Sequence, residues 1–547
     1  MSFAHPPPLR RLVVAIVAVV CVGCASLPSR EGVQPSHALP AVTDSPLAKN
    51  IQSRVREHPG LSGFVSLEGG LDAYVARVVA AGTATRSLDV QSYIWRGDRT
   101  GALMLEQLRR AARRGVRVRL LLDDNSTLGI DPAMAEFDAL PNVEVRLFNP
   151  FMHRGYGRLL DYAGDFSRLN RRMHNKSFTA DGVLTIVGGR NIGDEYFDAD
   201  PQISFADLDV LAVGTVVPEV QHAFDLYWNS ESAYPLRLIV QPPVSAAKSP
   251  EGGAPTALDA QAGAGASAPS ELDKLVAKAF ADPGTAPYER ALRESPLAQR
   301  LGAGGVEFEW GAARLVYDDP IKAQPEESDS AKRLIDRLLK ILGPTQKSLD
   351  LVSPYLVLSE SEAQAFVALA GRGARVRMLT NSLASTDVAA VHAGYIKSRE
   401  ALLRGGVEIY ELKPQAKADG DPELLDARKS TSYSVGGSSR ASLHAKTFAA
   451  DRQRVFVGSF NLDQRSIDLN TEMGVLLDNA RLAGRIDDAF DTGVPKKSYR
   501  VTLEGDALKW SEETDNGPKT YDSEPGVSAW RRFMVWLMSL LPLDPLL

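Results

Sequence analysis

The chain has 547 residues, 44% of them hydrophobic and 24% charged, with a formal net charge of −6. That balance describes globular material with room for more than one ordinary core, and it excludes a disordered chain and a polytopic membrane protein. The acidic surplus weighs against nucleic acid as a partner, because a phosphate backbone rewards a basic surface.

Arg10 and Arg11 precede "LVVAIVAVVCVGCAS", an apolar run shorter than the about 20 residues a spanning helix needs. A charged start, an apolar middle and small residues at the end form a secretory signal. Cys21 and Cys24 are the only cysteines, so neither a disulfide framework nor a thiolate metal site is expected in the rest of the chain. The stretch resembles a bacterial lipoprotein signal, with Cys21 where that pattern usually has Leu. The resemblance implies cleavage before Cys24 and lipid on its sulfur. Ala25 and Ser26, with no Asp after the cysteine, resemble envelope sorting to the outer membrane, facing the periplasm. Residues 1–24 are therefore expected to be a signal, and the polar, Pro-rich residues 25–60 a tether.

From residue 61 the chain repeats itself. "SLDVQSYIW" from Ser87 returns as "SLDLVSPYLV" from Ser348, and "RRGVRVRLLLD" from Arg113 returns as "GRGARVRMLTN" from Gly371. "NVEVRLFNP" from Asn142 returns as "GVEIYELKP" from Gly406. The order is the same both times, which predicts a duplicated domain. β-rich runs alternate with helical stretches such as Gly101–Gly115, the rhythm of an α/β sandwich with a buried sheet. The halves are placed at residues 61–240 and 272–500, with an Ala/Gly/Pro/Ser-rich flexible insert at 241–271. The arginines Arg109, Arg110, Arg113 and Arg114 are expected on a solvated helix face.

The repeat also carries "MHNKSFTAD" (Met173–Asp181) and "LHAKTFAAD" (Leu443–Asp451). Read as strands, these put His174 with Lys176, and His444 with Lys446, on one face, because side chains two apart point the same way. Asp181 and Asp451 follow in tight turns, where Asp is favoured through its own side chain. The next strands end in "GGRN" and "GSFN", placing Gly189 and Asn191, and Ser459 and Asn461, where a ligand could approach the backbone and an amide could donate to an oxyanion. Two imidazoles suit two jobs at phosphorus: one attacks, the other protonates the leaving oxygen. Lysines and amides would stabilise the equatorial oxygens. Arg171 and Arg172 are expected at the phosphate entrance. Asp123, Asp124 and Asp207 lack a His-rich cluster, and lysines at the centre would repel a cation, so neither a metal nor another cofactor is expected.

Each half fits His-x-Lys-x4-Asp-x6-Gly-Gly/Ser-x-Asn, and in this it resembles the phospholipase D superfamily. "VGGRNIGDEYF", "FADLDVLAVG" and "VGSFNLDQRSIDLNTEMG" are most similar to bacterial cardiolipin synthases of the C type. The resemblance implies duplicated α-β-β-α sandwich halves about a pseudo-twofold, one shared site and a phosphohistidine intermediate without metal. It makes His174, Lys176, Asp181, His444, Lys446 and Asp451 the expected catalytic residues, and Gly189, Asn191, Ser459 and Asn461 the phosphate contacts. Carried over by position, Asp209 and Glu472 would hold the far nitrogens of the histidines. His174 is expected to be the nucleophile and His444 the general acid.

Residues 501–547 are expected to form a tail. In it "AWRRFMVWLMSLL" suits either an interfacial helix or one docked in a groove, and it is too short to span a bilayer. The function expected is phosphatidyl transfer that makes cardiolipin from phosphatidylglycerol and a second phospholipid, by a monomer at a membrane surface. Hydrolysis to phosphatidic acid is the alternative. A nuclease is the reading that charge and targeting oppose, and a dead binding module would need a broken motif.

Overall fold

The computed structural model describes residues 27–127, 129–200, 203–240, 269–302, 305–330, 332–342, 345–414, 440–514 and 516–541. The signal with Cys24, and residues 241–268 of the insert, lie outside the described residues.

The repeated words of the sequence become repeated contacts. "SLD" places Asp89 on strand Ser87–Ile94, and "RVR" places Arg119 on the parallel strand Arg117–Ser126 directly opposite it. Arg119 Nε donates to Asp89 at 2.7 Å. In the second half Asp350 and Arg377 face each other across the parallel strands Ser348–Val352 and Arg375–Asn381, with Arg377 Nε donating at 2.6 Å. Each pair is buried, so loss of the arginine would leave a buried carboxylate without its bonded partner, at about 3–5 kcal/mol, whereas each arginine keeps a second carboxylate, Asp225 or Asp487.

Among the described residues the first sheet has nine strands. Its order is Glu309–Gly311, Ser62–Leu67, Asp209–Gly214, Leu184–Gly188, Ser177–Ala180, Ser87–Ile94, Arg117–Ser126, Val143–Phe148 and Ala233–Pro235. The second has ten and begins Ala313–Tyr317, Met473–Asp478, Arg454–Gly458, Thr447–Ala450, Ser348–Val352, Arg375–Asn381, Glu408–Leu412. Strand for strand, the two central orders match. One apolar core joins the halves: Val187, Val210 and Ala212 of the first sheet pack with Val457, Val475 and Leu477 of the second, alongside helices Val216–Asn229 and Ala480–Lys497.

Three boundaries differ from the sequence expectation. Residues 36–57 are packed rather than a free tether. Ser45 caps helix Pro46–Glu57, accepting from Ala48 N at 3.1 Å, and Ala48 and Ile51 are buried. Residues 271–311 belong to the first half: Leu272, Val276 and Tyr288 lie in its core, and the chain changes sheets at Ala312. Arg109, expected in solvent, bonds Glu106 at 2.6 Å and Asp273 of this segment at 2.5 Å. Past residue 500, strands Ala507–Glu512 and Lys519–Tyr521 extend the second sheet before the C-terminal helix Ala529–Ser539. That helix docks Val535 against Leu383 and Ala393 and leaves Trp530, Phe533, Trp536 and Leu537 exposed. Among the described residues, no helix is long and apolar enough to cross a membrane.

Candidate active site

His174 and Lys176 stand just before strand Ser177–Ala180, and His444 to Lys446 lie between strands Arg440–Leu443 and Thr447–Ala450. The expected continuous strands break at the histidines because the backbone there turns to the other half. His174 N donates to Thr471 O at 2.9 Å, and His444 N donates to Ala206 O at 2.8 Å. Strand Arg440–Leu443 pairs with Ile203–Ala206 of the first half. Both motifs are thereby stitched into one site. Lys176 and Lys446 each turn back to donate to the carbonyl of the histidine two residues earlier.

Each histidine is held by a carboxylate of the opposite half. Glu472 Oε2 lies 2.9 Å from His174 Nδ1, and Asp207 Oδ2 lies 2.6 Å from His444 Nδ1. A carboxylate only accepts, so Nδ1 carries the hydrogen and Nε2 keeps its lone pair for chemistry. The acid on His444 is therefore Asp207 and not Asp209. Sheet register explains the difference: Gly188 pairs with Asp209 and Gly458 with Gly474, so Asp207, two residues earlier, is the counterpart of Glu472. Asp209 instead forms a buried pair with Arg77 at 2.9 Å.

Gly189 and Ser459 also take up other work. A Cβ on Gly189 would stand 2.2 Å from Asp207 Oδ1, so glycine is what admits this acid. Ser459 Oγ is not an open phosphate donor. It bonds Glu472, which Ser466 Oγ also reaches at 2.9 Å. The two asparagines are less committed. Asn191 Oδ1 accepts from Ile94 N at 3.1 Å, while Asn191 Nδ2 and Asn461 Oδ1 are buried without a hydrogen-bond partner within bonding distance. Buried polar atoms of that kind call for a ligand or water.

Asp181 and Asp451 do not reach the imidazoles. Both have φ of 54° and sit at hairpin turns. Asp181 accepts from the backbone of Thr85, Arg86 and Ser87, and Asp451 from that of Gln346, Lys347 and Ser348. They fix the start of the strand next to the motif. The arginines are likewise engaged elsewhere: Arg172 is buried on Asp123 at 2.8 Å, and Arg171 donates to the carbonyls of Lys322 and Asp468. Both are committed to these partners rather than left open to a phosphate. Asp124 pairs with Arg154 and Arg158, so each of the three aspartates weighed as metal ligands has a partner.

Burial dominates the electrostatics. It pulls Lys176 down to about 7 and Lys446 to about 8. His174 is driven well below the usual imidazole range by burial and then by Lys176 and Lys446. Burial and Lys446 bring His444 to about 4 against the opposing pull of Asp207. Burial raises Glu472 to about 7. For Asp207 burial is outweighed by His444 and Lys446, and its pKa is lowered. The site thus holds two neutral imidazoles between two easily discharged ammonium groups. An anion entering it would restore charge to the lysines and raise both histidines.

Aromatic walls that the sequence pattern does not mark enclose both rings. Tyr93 meets His174 edge-on at 4.9 Å, and Tyr196 meets His444 edge-on at 5.1 Å. Phe205 stacks on His444 at 5.3 Å. Ser177 and Thr447, each next after a motif lysine, have buried hydroxyls without partners. Their recurrence after each lysine was the one signal available.

Comparisons with known proteins agree with this geometry. The family described as "Cardiolipin synthase, PLD-like domain" matches residues 80–228 and 338–493, one segment in each half. The chain is 42% identical to Cardiolipin synthase C of Escherichia coli K12 over 92% of its own length and 99% of that protein's. It is 31% identical to an uncharacterized protein of Helicobacter pylori 26695, over 81% of each chain. Among solved structures, the phosphatidylserine synthase of Haemophilus influenzae Rd KW20 superposes with a TM-score of 0.52 over 91% of this chain and all of that one, at 11% identity, a likeness of fold.

Proposed function

The chain belongs to the cardiolipin synthase family of phospholipase D-like proteins and is an enzyme of its phosphatidyltransferase type, and we propose that it makes cardiolipin by two in-line displacements at one phosphorus. The observation that carries the route is the crossed pairing of His174 with Glu472 and His444 with Asp207. It leaves two Nε2 atoms for one phosphate, one from each half.

In the first displacement His174 Nε2 attacks phosphorus of the donor lipid. The P–N bond forms as the bond to the headgroup oxygen breaks, and that oxygen leaves with the proton of His444 Nε2. Burial and Lys446 keep His444 neutral, and it takes up this proton as the anionic phosphodiester binds. In the second displacement His444 removes the proton of a terminal hydroxyl of phosphatidylglycerol. The oxygen attacks, the P–N bond breaks, and cardiolipin leaves with both histidines restored. Lys176, Lys446 and the amides of Asn191 and Asn461 stabilise the equatorial oxygens. Water in place of the second lipid would give phosphatidic acid.

At the membrane, Cys24 carries the lipid anchor on the periplasmic side of the envelope, at the outer membrane, and the exposed aromatic face of helix Ala529–Ser539 lies at headgroup level. Vesicles of phosphatidylglycerol and phosphatidylethanolamine, incubated with purified protein in EDTA and read by lipid mass spectrometry, should gain cardiolipin. Phosphatidic acid alone would establish hydrolysis, and inert lipids beside rapid cleavage of single-stranded DNA would overturn the assignment. Fatty-acid labelling should mark the wild type and not Cys24→Ser.

A further inference from the structure

Between strands Val143–Phe148 and Ser177–Ala180 the chain makes a flap, residues 151–170, containing helices Arg158–Gly164 and Phe166–Leu169. Its polarity is inverted. Arg158 and Asp161 face inward and are buried, while Tyr156, Leu159, Leu160 and Phe166 are 95%, 71%, 59% and 50% exposed. A helix on a water-facing surface turns its apolar side to the core. Here the inner side is an ionic network: Arg154 and Arg158 hold Asp124, and Asp161 accepts from His153 N at 2.8 Å. The apolar side is thus presented outward by polar bonds that pin the flap in place. Four large, mainly apolar side chains within eleven residues are thus at least half exposed, a concentration of the kind that marks an interaction surface.

The underside of the flap runs directly to the site. Tyr162 Oη donates to Asn125 Oδ1 at 3.0 Å, Asn125 Nδ2 donates to Tyr93 Oη at 3.3 Å, and the Tyr93 ring meets His174. The C-terminal helix is tied to the second half in a comparable way. Its Val535 packs on Leu383, two residues beyond Asn381, and Asn381 bonds Leu443 N at 2.9 Å, beside His444. Asn125 and Asn381 sit at or near the ends of corresponding strands of the two sheets. A phospholipid offers acyl chains next to the phosphate that must reach His174, so its apolar part needs an apolar surface close to that histidine.

We propose that the outer face of the flap, Tyr156, Leu159, Leu160 and Phe166, is a bilayer-docking surface that seats the acyl region of the lipid surface beside His174. The proposal rests on the phospholipid reading of the site. It makes the flap a second membrane contact, on the first half, distinct from the C-terminal helix and from any anchor.

The test uses the full chain carrying Leu159→Ser, Leu160→Ser and Phe166→Ser together, and the single variant Tyr156→Ser. In mixed micelles of phosphatidylglycerol and neutral detergent, the triple variant should raise the interfacial KM at least tenfold with kcat within about twofold. Turnover of monomerically dispersed dibutyryl-phosphatidylglycerol should stay within about twofold of wild type. Tyr156→Ser should give the same pattern, smaller. In the wild type, amide hydrogen exchange across residues 155–166 should slow several-fold on phosphatidylglycerol vesicles. An unchanged interfacial KM with unchanged exchange would overturn the proposal, as would equal loss on dispersed substrate. Protection of 155–166 that grows with protein concentration in the absence of lipid would assign the face to a second copy instead. If the wild type turns over no phospholipid in either form, the functional reading fails, and the exchange experiment still decides whether the flap docks on lipid.

Discussion

Glu472 and His174 belong to opposite halves of the chain, yet the Glu472 carboxylate holds His174 Nδ1 at 2.9 Å and is itself held by Ser459 and Ser466. The same crossing recurs with Asp207 on His444. Neither half can orient its own histidine, so the site exists only when both halves are folded together.

The first prediction separates Asp207 from Asp209. Glu472→Gln and Asp207→Asn should each lower kcat roughly 10³–10⁴-fold, the scale of loss when a histidine's carboxylate partner becomes an amide and the wrong tautomer is favoured. KM should move little. Asp209→Ala should leave kcat of the folded protein near wild type but destabilise it by about 3–5 kcal/mol, because Arg77 is left buried and unpaired. Steady-state kinetics beside urea unfolding decide it. Full activity in Asp207→Asn with loss in an otherwise folded Asp209→Ala would reverse the assignment.

A second prediction concerns the difference between the two Gly-x-x-Asn segments. Gly189→Ala places a methyl 2.2 Å from Asp207 Oδ1, and the acid must move off His444. Activity should fall at least tenfold, with a changed pH profile. Ser459→Ala deletes the Oγ hydrogen bonds to Glu472 and to the Met473 backbone, on the order of 1 kcal/mol each, and should cost only several-fold in kcat. Equal effects from the two variants would mean that Asp207 has room to spare.

The duplication was legible because the same residues recur in the same order, and each recurrence has a local physical use: Asp89 with Arg119, Asp350 with Arg377, and the turn aspartates on backbone amides. Which acid meets His444 was not legible. In "FADLDV" Asp207 and Asp209 share a strand parity, and only the long-range register of Gly188 and Gly458 with their partner strands separates them. The flap was hidden for a related reason. An amphipathic segment shows two faces in sequence, but which one turns inward is set by Asp124 and Asn125 on a distant strand. Arg172 was misplaced at the phosphate because Asp123, which buries its charge, is equally remote in sequence.

The pH dependence follows from burial. His174 must be neutral to attack and titrates well below the usual imidazole range, so its own protonation should not lower kcat/KM as pH drops through 6.5; the acid limb should instead come from Glu472, raised to about 7 by burial, whose protonation releases His174 Nδ1. Lys176 at about 7 and Lys446 at about 8 lose their charge as pH rises, so kcat/KM should decline on the alkaline side between about pH 7 and 8. Bound phosphate favours the charged lysines, so the alkaline limb of kcat should lie above that of kcat/KM. Dispersed short-chain substrate keeps the membrane out of the measurement. An acid limb that stays in place in the residual activity of Glu472→Gln would contradict that assignment.

The roles of the two histidines give the last prediction. A nucleophile must be neutral, and a general acid must take up a proton when substrate arrives. His174 is the one held furthest toward neutrality, by burial and by both lysines, and its partner Glu472 is itself raised to about 7 and so offers less negative charge. His444 sits against Asp207, whose pKa is lowered and which therefore stays ionised and favours an imidazolium there. The asymmetry assigns attack to His174 and proton transfer to His444. Both His174→Ala and His444→Ala should lose activity by orders of magnitude, since each displacement uses both rings. In His444→Asn the first displacement can still run slowly with a good leaving group, whereas the second lacks its base, so the phosphatidyl adduct should accumulate. With labelled lipid bearing a nitrophenyl headgroup, an acid-free quench and peptide mapping, the label should sit on His174 and be absent in His174→Ala. Label on His444 would exchange the two roles and leave the crossed carboxylates as they are.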